Sequence, residues 1–426
     1  MKIKTKVLPY DEVLCLPRPM HKPPRRPNPL LRAAFRLAAA GDLNSVRFTY
    51  TTERMDAVGD GPYLILMNHS SFIDLEIAAR VFRDRPYCIV CTSDGFVGKE
   101  GVMRAIGCIP TNKFVTDVSL IADMRYALRE EQCSVLLYPE ASYSFDGRAT
   151  PLPRKLGVLL KRLGVPVVGV LTEGAFARDP LYNCLQKRDV TVSATVRGLL
   201  TREEIAEKSV AELDDILDGM FSFDNFAWQE ENRIEIDEPF RADGLHRILY
   251  KCAHCGAEGE TEGKGTRFVC HHCGKEYELD ILGRLRALDG ETEFPHIPDW
   301  YAWERDEVRR EIEAGSYRLD AEVDVGMLVD FKAIYKVGSG RLVHDLTGFT
   351  LDGCGGKLHF ERSAKQSYSL YADYYWYELG DMICIGDTET QYYCFPKGNV
   401  PVAKARLATE ELYKLLRGKR GRKENL

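Results

Sequence analysis

The stretch YLILMNHSSFID (residues 63–74) joins a short apolar run to a segment in which apolar residues recur at helical spacing. The run Tyr63–Met67 has the length of a buried strand, and the spacing after it predicts a helix over Phe72–Phe82. Apolar runs and helical segments keep alternating from about residue 46 to residue 238. This alternation predicts an α/β domain on a mainly parallel sheet, with functional side chains at the carboxyl ends of its strands.

The same patterns predict the remaining elements and the domain organisation. The other predicted strands of the α/β domain are Tyr87–Cys91, Ser134–Tyr138, Val165–Leu171 and Val190–Arg197. Its other predicted helices are Ser119–Glu130, Leu156–Leu163 and Arg202–Asp218. We divide the chain into a basic N-terminal segment with an amphipathic helix (1–45), the α/β domain (46–238), a small Gly- and Cys-rich domain (239–285) and a β-rich C-terminal domain with a terminal helix (286–426). The last of these loosely suggests a pleckstrin-homology-like domain.

Composition places the chain among soluble globular proteins. Of its 426 residues, 45% are apolar and 29% are charged, which argues against a disordered or fibrous chain. It contains no apolar run of 18 residues, so a membrane-spanning helix is not expected, and no apolar segment typical of a secretory signal follows the basic start. Thirteen cysteines in a chain of this size favour a reducing compartment, and we expect a cytoplasmic location.

The net charge of −6 conceals basic ends on an acidic body. Residues 1–50 carry ten Lys and Arg against three Asp and Glu, and residues 414–426 carry six against one. Residues 1–27 are predicted to be irregular, and Asn28 and Pro29 then begin a short basic helix that Gly41 ends. Basic ends predict peripheral association with an anionic membrane surface through Arg25, Arg26, Arg32 and Arg36, although two solvated ends are an equal alternative.

His69 and Asp74 are the candidate catalytic residues. They follow a predicted strand and open a predicted helix, where a neutral imidazole could take a proton from a hydroxyl and a carboxylate could fix its tautomer. A histidine that only caps the helix is the structural alternative. A serine nucleophile is disfavoured, because the sequence has no G-x-S-x-G motif and Ser70 adjoins the base.

Three further segments follow in order: GCIPTNK (residues 107–113), YPEASYS (residues 138–144) and VPVVGV (residues 165–170). Together with NHSSFID they resemble the glycerolipid acyltransferases typified by 1-acylglycerol-3-phosphate acyltransferase, over about residues 46–200. The resemblance implies that His69 and Asp74 are catalytic and that Lys113, Glu140 and Ser142 bind substrate. Two departures concern phosphate binding: the family's arginine in the second segment is Lys113, and its arginine in the third is Tyr143.

The resemblance implies an O-acyltransferase of phospholipid biosynthesis. The donor would be an acyl thioester on CoA or on acyl carrier protein, and the acceptor a lysophospholipid hydroxyl, with 1-acylglycerol-3-phosphate expected first. The alternative is a non-catalytic scaffold that binds lipid or protein. Aromatic residues between Tyr371 and Tyr393 are interpreted as core packing, since no Lys or Arg interleaves with them, and no nucleic-acid partner is expected.

Two C-x-x-C pairs, each followed by Gly, predict a structural zinc site. Cys252 and Cys255 are separated from Cys270 and Cys273 by fourteen residues, which is the spacing of a zinc ribbon. Four thiolates leave no open coordination position, so the zinc would stabilise the fold and take no part in catalysis. The neighbouring histidines could each replace a thiol, but exposed loop positions suit them better.

Overall fold

The computed structural model describes residues 2–115, 117–153 and 156–423, with side chains as far as residue 417. Its first elements are strand β1 (Thr5–Val7), helix α1 (Tyr10–Leu14) and helix α2 (Pro29–Ser45). β1 runs parallel to a strand of the C-terminal sheet, and Val13 of α1 is fully buried. The prediction that residues 1–27 are irregular is therefore wrong for these two elements.

Helix α2 begins as the sequence predicts and ends later. The Asn28 side-chain oxygen accepts hydrogen bonds from the amides of Leu30 and Leu31, and Pro29 takes the first helical position. The helix passes through Gly41 and ends at Ser45, because Leu43 still packs in the core beneath it. Packing thus outweighs the weak helix propensity of one glycine.

The α/β region has a seven-stranded sheet within the described residues. Its strands are β2 (Thr49–Glu53), β3 (Leu64–Met67), β4 (Tyr87–Thr92), β5 (Cys108–Thr111), β6 (Ser134–Leu137), β7 (Val167–Glu173) and β8 (Ser193–Leu200). Their order is β2-β8-β7-β3-β6-β4-β5, and every pair is parallel except β7 with β8. The predicted mainly parallel sheet is confirmed, and two strands that the sequence did not reveal, β2 and β5, form its edges.

Helices cover both faces of this sheet. They are α3 (Ile73–Val81), α4 (Glu100–Ala105), α5 (Val118–Arg129), α6 (Leu156–Leu163), α7 (Ala175–Arg178), α8 (Arg202–Glu207), α9 (Val210–Met220) and α10 (Asn225–Glu231). Side chains alternate along β3, so Leu64 and Leu66 meet α5, α6 and α9, while Ile65 and Met67 meet α2 and α3. The single helix predicted over Arg202–Asp218 is two helices, because Ser209 and Glu212 form a second capping box.

The rest of the chain is β-rich, as predicted. A four-stranded sheet comes first: β9 (Thr261–Lys264), β10 (Arg267–Cys270), β11 (Glu276–Leu279) and β12 (Leu285–Ala287). Helix α11 (Ile297–Glu313) follows. The large sheet then contains β13 (Leu319–Leu328), β14 (Ile334–Asp345), β15 (Gly348–Gly353), β16 (Leu358–Ser363), β17 (Tyr371–Trp376), β18 (Gly380–Gly386) and β19 (Gln391–Pro396), and α12 (Val402–Lys423) closes the chain.

The large sheet has the order β16-β15-β14-β13-β19-β18-β17, with β1 added beside β14. Its sequential pairs are antiparallel, and α11 and α12 pack against each other beside it. The likeness to a pleckstrin-homology domain stays a prediction. Among the described helices, none combines the length and the apolar character needed to cross a bilayer.

Candidate functional site

His69 lies just beyond the carboxyl end of β3, at a turn that Asn68 fixes. The Asn68 Oδ1 atom accepts hydrogen bonds from the Thr172 amide at 2.8 Å and the Thr172 hydroxyl at 3.1 Å, and its Nδ2 donates to the Thr172 carbonyl at 3.2 Å. Thr172 belongs to β7, the strand next to β3. One buried amide side chain therefore joins the ends of the two strands next to His69.

The predicted pair of catalytic candidates is in direct contact. The His69 Nδ1 and Asp74 Oδ2 atoms lie 3.0 Å apart, and the same carboxylate oxygen accepts the amides of Ser70 at 2.8 Å and Ser71 at 3.1 Å. Asp74 is fully buried in α3, and only 14% of the His69 side chain is exposed. When Asp74 is ionised it can only accept, so in that state the Nδ1 atom carries the hydrogen and Nε2 keeps its lone pair.

Burial sets the electrostatics of this pair. It lowers the pKa of His69 well below the ordinary value, and the Lys113 charge lowers that pKa further. It also raises the pKa of Asp74 to about 7, against the stabilising effect of the Ser70 and Ser71 amides. The imidazole is consequently neutral at physiological pH, which is the form that a general base requires.

Two tyrosines enclose the imidazole. The ring centroids of Tyr138 and Tyr143 lie 3.9 Å and 4.0 Å from that of His69, on planes tilted by 20° and 30°. Tyr143 stands where the sequence resemblance expects an arginine, and its contribution here is stacking on the base. The missing arginine is visible in the sequence, whereas no sequence pattern indicates this ring contact.

Glu140 and Ser142 contact the protein's own chain. One Glu140 carboxylate oxygen accepts the His69 amide at 3.2 Å, and the other accepts the Thr150 amide at 2.8 Å and the Thr150 hydroxyl at 3.1 Å. Burial raises the pKa of Glu140 to about 7. The buried Ser142 hydroxyl donates to the Tyr143 carbonyl at 3.2 Å. Glu140 thus braces the main chain of the candidate base.

Lys113 follows β5 and faces the C-terminal sheet. Its Nζ atom lies 4.1 Å from the ring centroid of Tyr371 on β17. The next residue, Phe114, packs among apolar side chains of that sheet, and the Arg362 guanidinium donates a hydrogen bond to the Phe114 carbonyl. The candidate site therefore lies where the carboxyl edge of the parallel sheet meets β17.

The four cysteines form a compact cluster suited to a metal ion. Their Sγ atoms all lie within 4.8 Å of one another, with Cys252 to Cys273 at 3.9 Å and Cys255 to Cys270 at 3.8 Å. Sulfurs around tetrahedral zinc are about 3.8 Å apart, given Zn–S bonds of about 2.3 Å, whereas a disulfide needs about 2.05 Å.

The two halves of the cluster have the same backbone geometry. The amides of Gly256 and Gly274 each donate at 2.8 Å to the carbonyl of the first cysteine in their pair. Both glycines have φ of +76°, which a residue with a Cβ rarely adopts. Thiolate chemistry, spacing and knuckle geometry all fit zinc.

Together, the fold and the site describe an α/β domain with a buried His–Asp pair at the carboxyl end of a central strand. Residues 47–173 match the family model described as Acyltransferase, so the chain contains an acyltransferase-family domain, and the family predicted from the motifs is confirmed.

The crystal structure of the 1-acyl-sn-glycerophosphate (LPA) acyltransferase PlsC from Thermotoga maritima is similar over 45% of this chain and 76% of its own, with 13% identity and a TM-score of 0.33. No curated protein matches the chain.

Proposed function

We propose that the protein is an O-acyltransferase that moves a fatty acyl group from an acyl thioester to a hydroxyl of a lysophospholipid-like acceptor in phospholipid biosynthesis. The observation that carries this proposal is the 3.0 Å contact between His69 and Asp74 inside the segment that matches the acyltransferase family. The thioester would be carried by CoA or by acyl carrier protein. The region from 46 to 238 would form the catalytic domain.

The arrangement supports direct transfer without an acyl-enzyme. His69 Nε2 takes the proton of the acceptor hydroxyl as its oxygen attacks the thioester carbonyl. The C–O bond forms, the C–S bond breaks, and the leaving thiolate takes the proton back from His69. Asp74 stabilises the intervening imidazolium through the Nδ1 hydrogen. Glu140 contributes by holding the His69 amide, and Ser142 by holding the loop that carries Tyr143.

The resemblance implies 1-acylglycerol-3-phosphate as the first acceptor to assay, with Lys113 beside its headgroup. An amphiphilic acceptor has to be met at a membrane surface, and α2 offers exposed Leu30, Phe35 and Leu37 for such contact. We propose peripheral association with an anionic membrane on the cytoplasmic side.

We also propose that Cys252, Cys255, Cys270 and Cys273 hold one structural zinc ion.

Mass spectrometry of the lipid products tests the proposal. The purified protein is incubated with acyl-CoA or acyl-acyl carrier protein and a panel of lysolipids. Loss of the base in His69→Ala is expected to lower the rate by ~10²–10⁴, with the thermal midpoint kept. His359→Ala, which changes an exposed histidine of β16, is the matched control and keeps the wild-type rate.

Wild-type turnover in His69→Ala would contradict the mechanism. A folded wild-type protein that transfers no acyl group to any lysolipid from either donor would favour the scaffold alternative.

A further inference from the structure

The large C-terminal sheet contacts three consecutive residues of the segment that the resemblance assigns to the acceptor phosphate. Asn112 Nδ2 donates at 3.1 Å to a carbonyl in the turn between β18 and β19. The Phe114 carbonyl accepts a hydrogen bond from Arg362 on β16. Between these two contacts, Lys113 Nζ lies 4.1 Å from the ring centroid of Tyr371 on β17. A sheet outside the matched acyltransferase segment therefore holds these residues in place.

Tyr371 is a well-anchored partner for this lysine. Its side chain is buried, and its hydroxyl donates to Asp94 Oδ2 at 2.8 Å and accepts from Trp376 Nε1 at 3.0 Å. Asp94 directly follows β4 of the parallel sheet, so the same hydroxyl also links the two sheets. These hydrogen bonds fix the orientation of the ring, whose face is turned toward the ammonium.

The contact matters because Lys113 stands where the family it resembles has an arginine. A guanidinium is a planar, pre-organised group, whereas a lysine ammonium ends a flexible four-carbon chain. Ordering such a chain costs up to about 2 kcal/mol. An aromatic face attracts the ammonium and restricts its position before a ligand arrives. Among the described residues, Lys113 contacts this ring and forms no ion pair with a carboxylate, so its charge remains available to a ligand.

We infer that Tyr371 is a positioning residue for the acyl acceptor: its ring holds the Lys113 ammonium where the phosphate of a lysophospholipid binds. The hydrogen bonds of the Tyr371 hydroxyl keep the ring in place. The inference rests on the proposed acyl transfer to such an acceptor. Tyr371 acts through Lys113 and not on the reacting atoms, so its loss weakens acceptor binding and leaves the proton transfer at His69 unchanged.

Binding and turnover of 1-acylglycerol-3-phosphate are measured separately. Dissociation constants are measured in neutral detergent micelles with His69→Ala, which cannot consume the ligand, and KM and kcat are measured with His69 intact. Tyr371→Leu removes the ring and is expected to weaken binding and raise KM by about tenfold, with kcat nearly unchanged. Tyr371→Phe keeps the ring and should bind the acceptor within about threefold of the wild-type dissociation constant.

A double-mutant cycle with Lys113→Met determines whether the ring acts through the ammonium. Methionine keeps an unbranched side chain and removes the charge, so adding Tyr371→Leu to Lys113→Met should weaken binding no further. Tyr335→Leu is the matched control, since Tyr335 is a buried tyrosine of the same sheet whose hydroxyl also bonds to an aspartate, Asp330 at 3.0 Å. Tyr335 packs in a different core from Tyr371, so its loss should lower the thermal midpoint and leave acceptor binding unchanged.

A second measurement applies if Tyr371→Leu does not fold. Phenylalanine analogues with increasing fluorination at position 371 keep the shape of the ring and weaken its attraction for an ammonium stepwise. The dissociation constant for 1-acylglycerol-3-phosphate should then rise with each added fluorine above the value for Tyr371→Phe.

The inference is overturned if Tyr371→Leu keeps wild-type binding, if it weakens binding equally with Lys113 and with Lys113→Met, or if fluorination has no effect. Failure of the wild type to bind 1-acylglycerol-3-phosphate overturns it as well, whereas acyl transfer to a different lysolipid would keep the proposed enzyme activity. The expected binding pattern without any acyl transfer would support the role of Tyr371 and remove the proposed activity.

Discussion

Burial of His69 between two tyrosine rings keeps its imidazole neutral, which its proposed role as a general base requires. The same burial makes the imidazolium costly, so the ionised form of Asp74 is needed to stabilise it once the proton has moved. Three donors converge on one Asp74 oxygen, which fixes the carboxylate while leaving its other oxygen buried and, among the described residues, unpartnered. In the proposed mechanism, Asp74 therefore lowers local stability in exchange for its role beside the base.

Acyl transfer is expected to rise as the pH increases through about 7, the pKa to which burial raises Asp74. Protonated Asp74 cannot stabilise the imidazolium, so the rate falls on the acid side. Because the folded protein binds this proton more tightly than the unfolded chain, Asp74 lowers the free energy of unfolding as the pH rises from about 4 to about 7. The kcat/KM profile from about pH 5.5 to 9 measures the acid limb.

Asp74→Asn provides the comparison for this profile. The residual rate of acyl transfer of this variant should be low, and its kcat/KM should no longer rise with pH near neutrality. If kcat/KM of the variant still rises with pH through about 7, the titrating group is Glu140, whose pKa burial also raises to about 7.

At the scale of elements, periodicity predicts the interior of the fold better than its edges. The predicted strands of this sheet overlap the observed ones, and the apolar runs of β3, β6 and β7 are buried almost throughout, which gives the clearest signal. The edge strand β2 was missed, since all five of its residues are exposed and give no apolar signal. β1 was missed for a different reason: it is three residues long and is a strand only through pairing with β14.

We expect one zinc ion per chain, held by the four cysteines of the cluster. Thiolate ligation couples the metal to folding, so chelation should loosen residues 245–285 before the parallel sheet. Elemental analysis gives the stoichiometry, and hydrogen exchange with and without chelator locates the loosened region. Cys255→Ser should lose the metal, whereas Cys15→Ser, at an exposed cysteine outside the cluster, should keep it. Zinc-free protein prepared without chelator would exclude the assignment.

The membrane prediction concerns helix α2. Leu30 and Leu37 are each 79% exposed, whereas Arg32 donates to the carbonyls of Phe82 and Arg85 and so is less free to contact lipid than the sequence suggested. Leu30→Ser with Leu37→Ser is expected to weaken flotation with anionic liposomes by at least about tenfold. Salt should weaken wild-type binding, because exposed charges are screened over ~8 Å at physiological ionic strength.

Val7→Ser is the matched control for this experiment, since Val7 is 81% exposed but lies on β1, away from α2. Removing the whole N-terminal segment would be less informative, because Val13 and β1 are part of the fold. If all variants float equally, the basic tail at Lys419–Lys423 would be the membrane-binding segment. The side chains of this tail lie outside the described residues. Absence of wild-type flotation would remove the membrane proposal.

At the scale of the whole molecule, the candidate site is assembled from distant parts of the chain. The motifs place His69, Asp74 and Glu140 after strands of one parallel sheet, and the structure brings them together, because the carboxyl ends of adjacent parallel strands share one edge of the sheet. The motifs could not predict that β17 lies beside the site, with Tyr371 against Lys113. Arg362 and Phe114 are 248 positions apart, and their contact depends on how two sheets pack, which leaves no local pattern in the sequence.

The contact between Arg362 and the Phe114 carbonyl is expected to hold the acceptor side of the site in place. Arg362 is buried in the large sheet, and Phe114 directly follows Lys113. Arg362→Ala removes a buried charged donor from the Phe114 carbonyl and should lower the free energy of unfolding by about 1–3 kcal/mol. Because the segment beside Lys113 then loosens, KM for the acceptor should rise more than kcat falls.

Chemical denaturation and steady-state kinetics with varied acceptor measure these two effects. Arg341→Ala is the matched control: Arg341 belongs to the same sheet, but it is exposed and pairs with Asp320 at the surface, so its loss should change stability by less than about 1 kcal/mol. Equal effects of the two substitutions on acceptor KM would show that the C-terminal sheet does not shape the site. A rise in acceptor KM confined to Arg362→Ala would establish that the β-rich domain forms one side of the acyltransferase site.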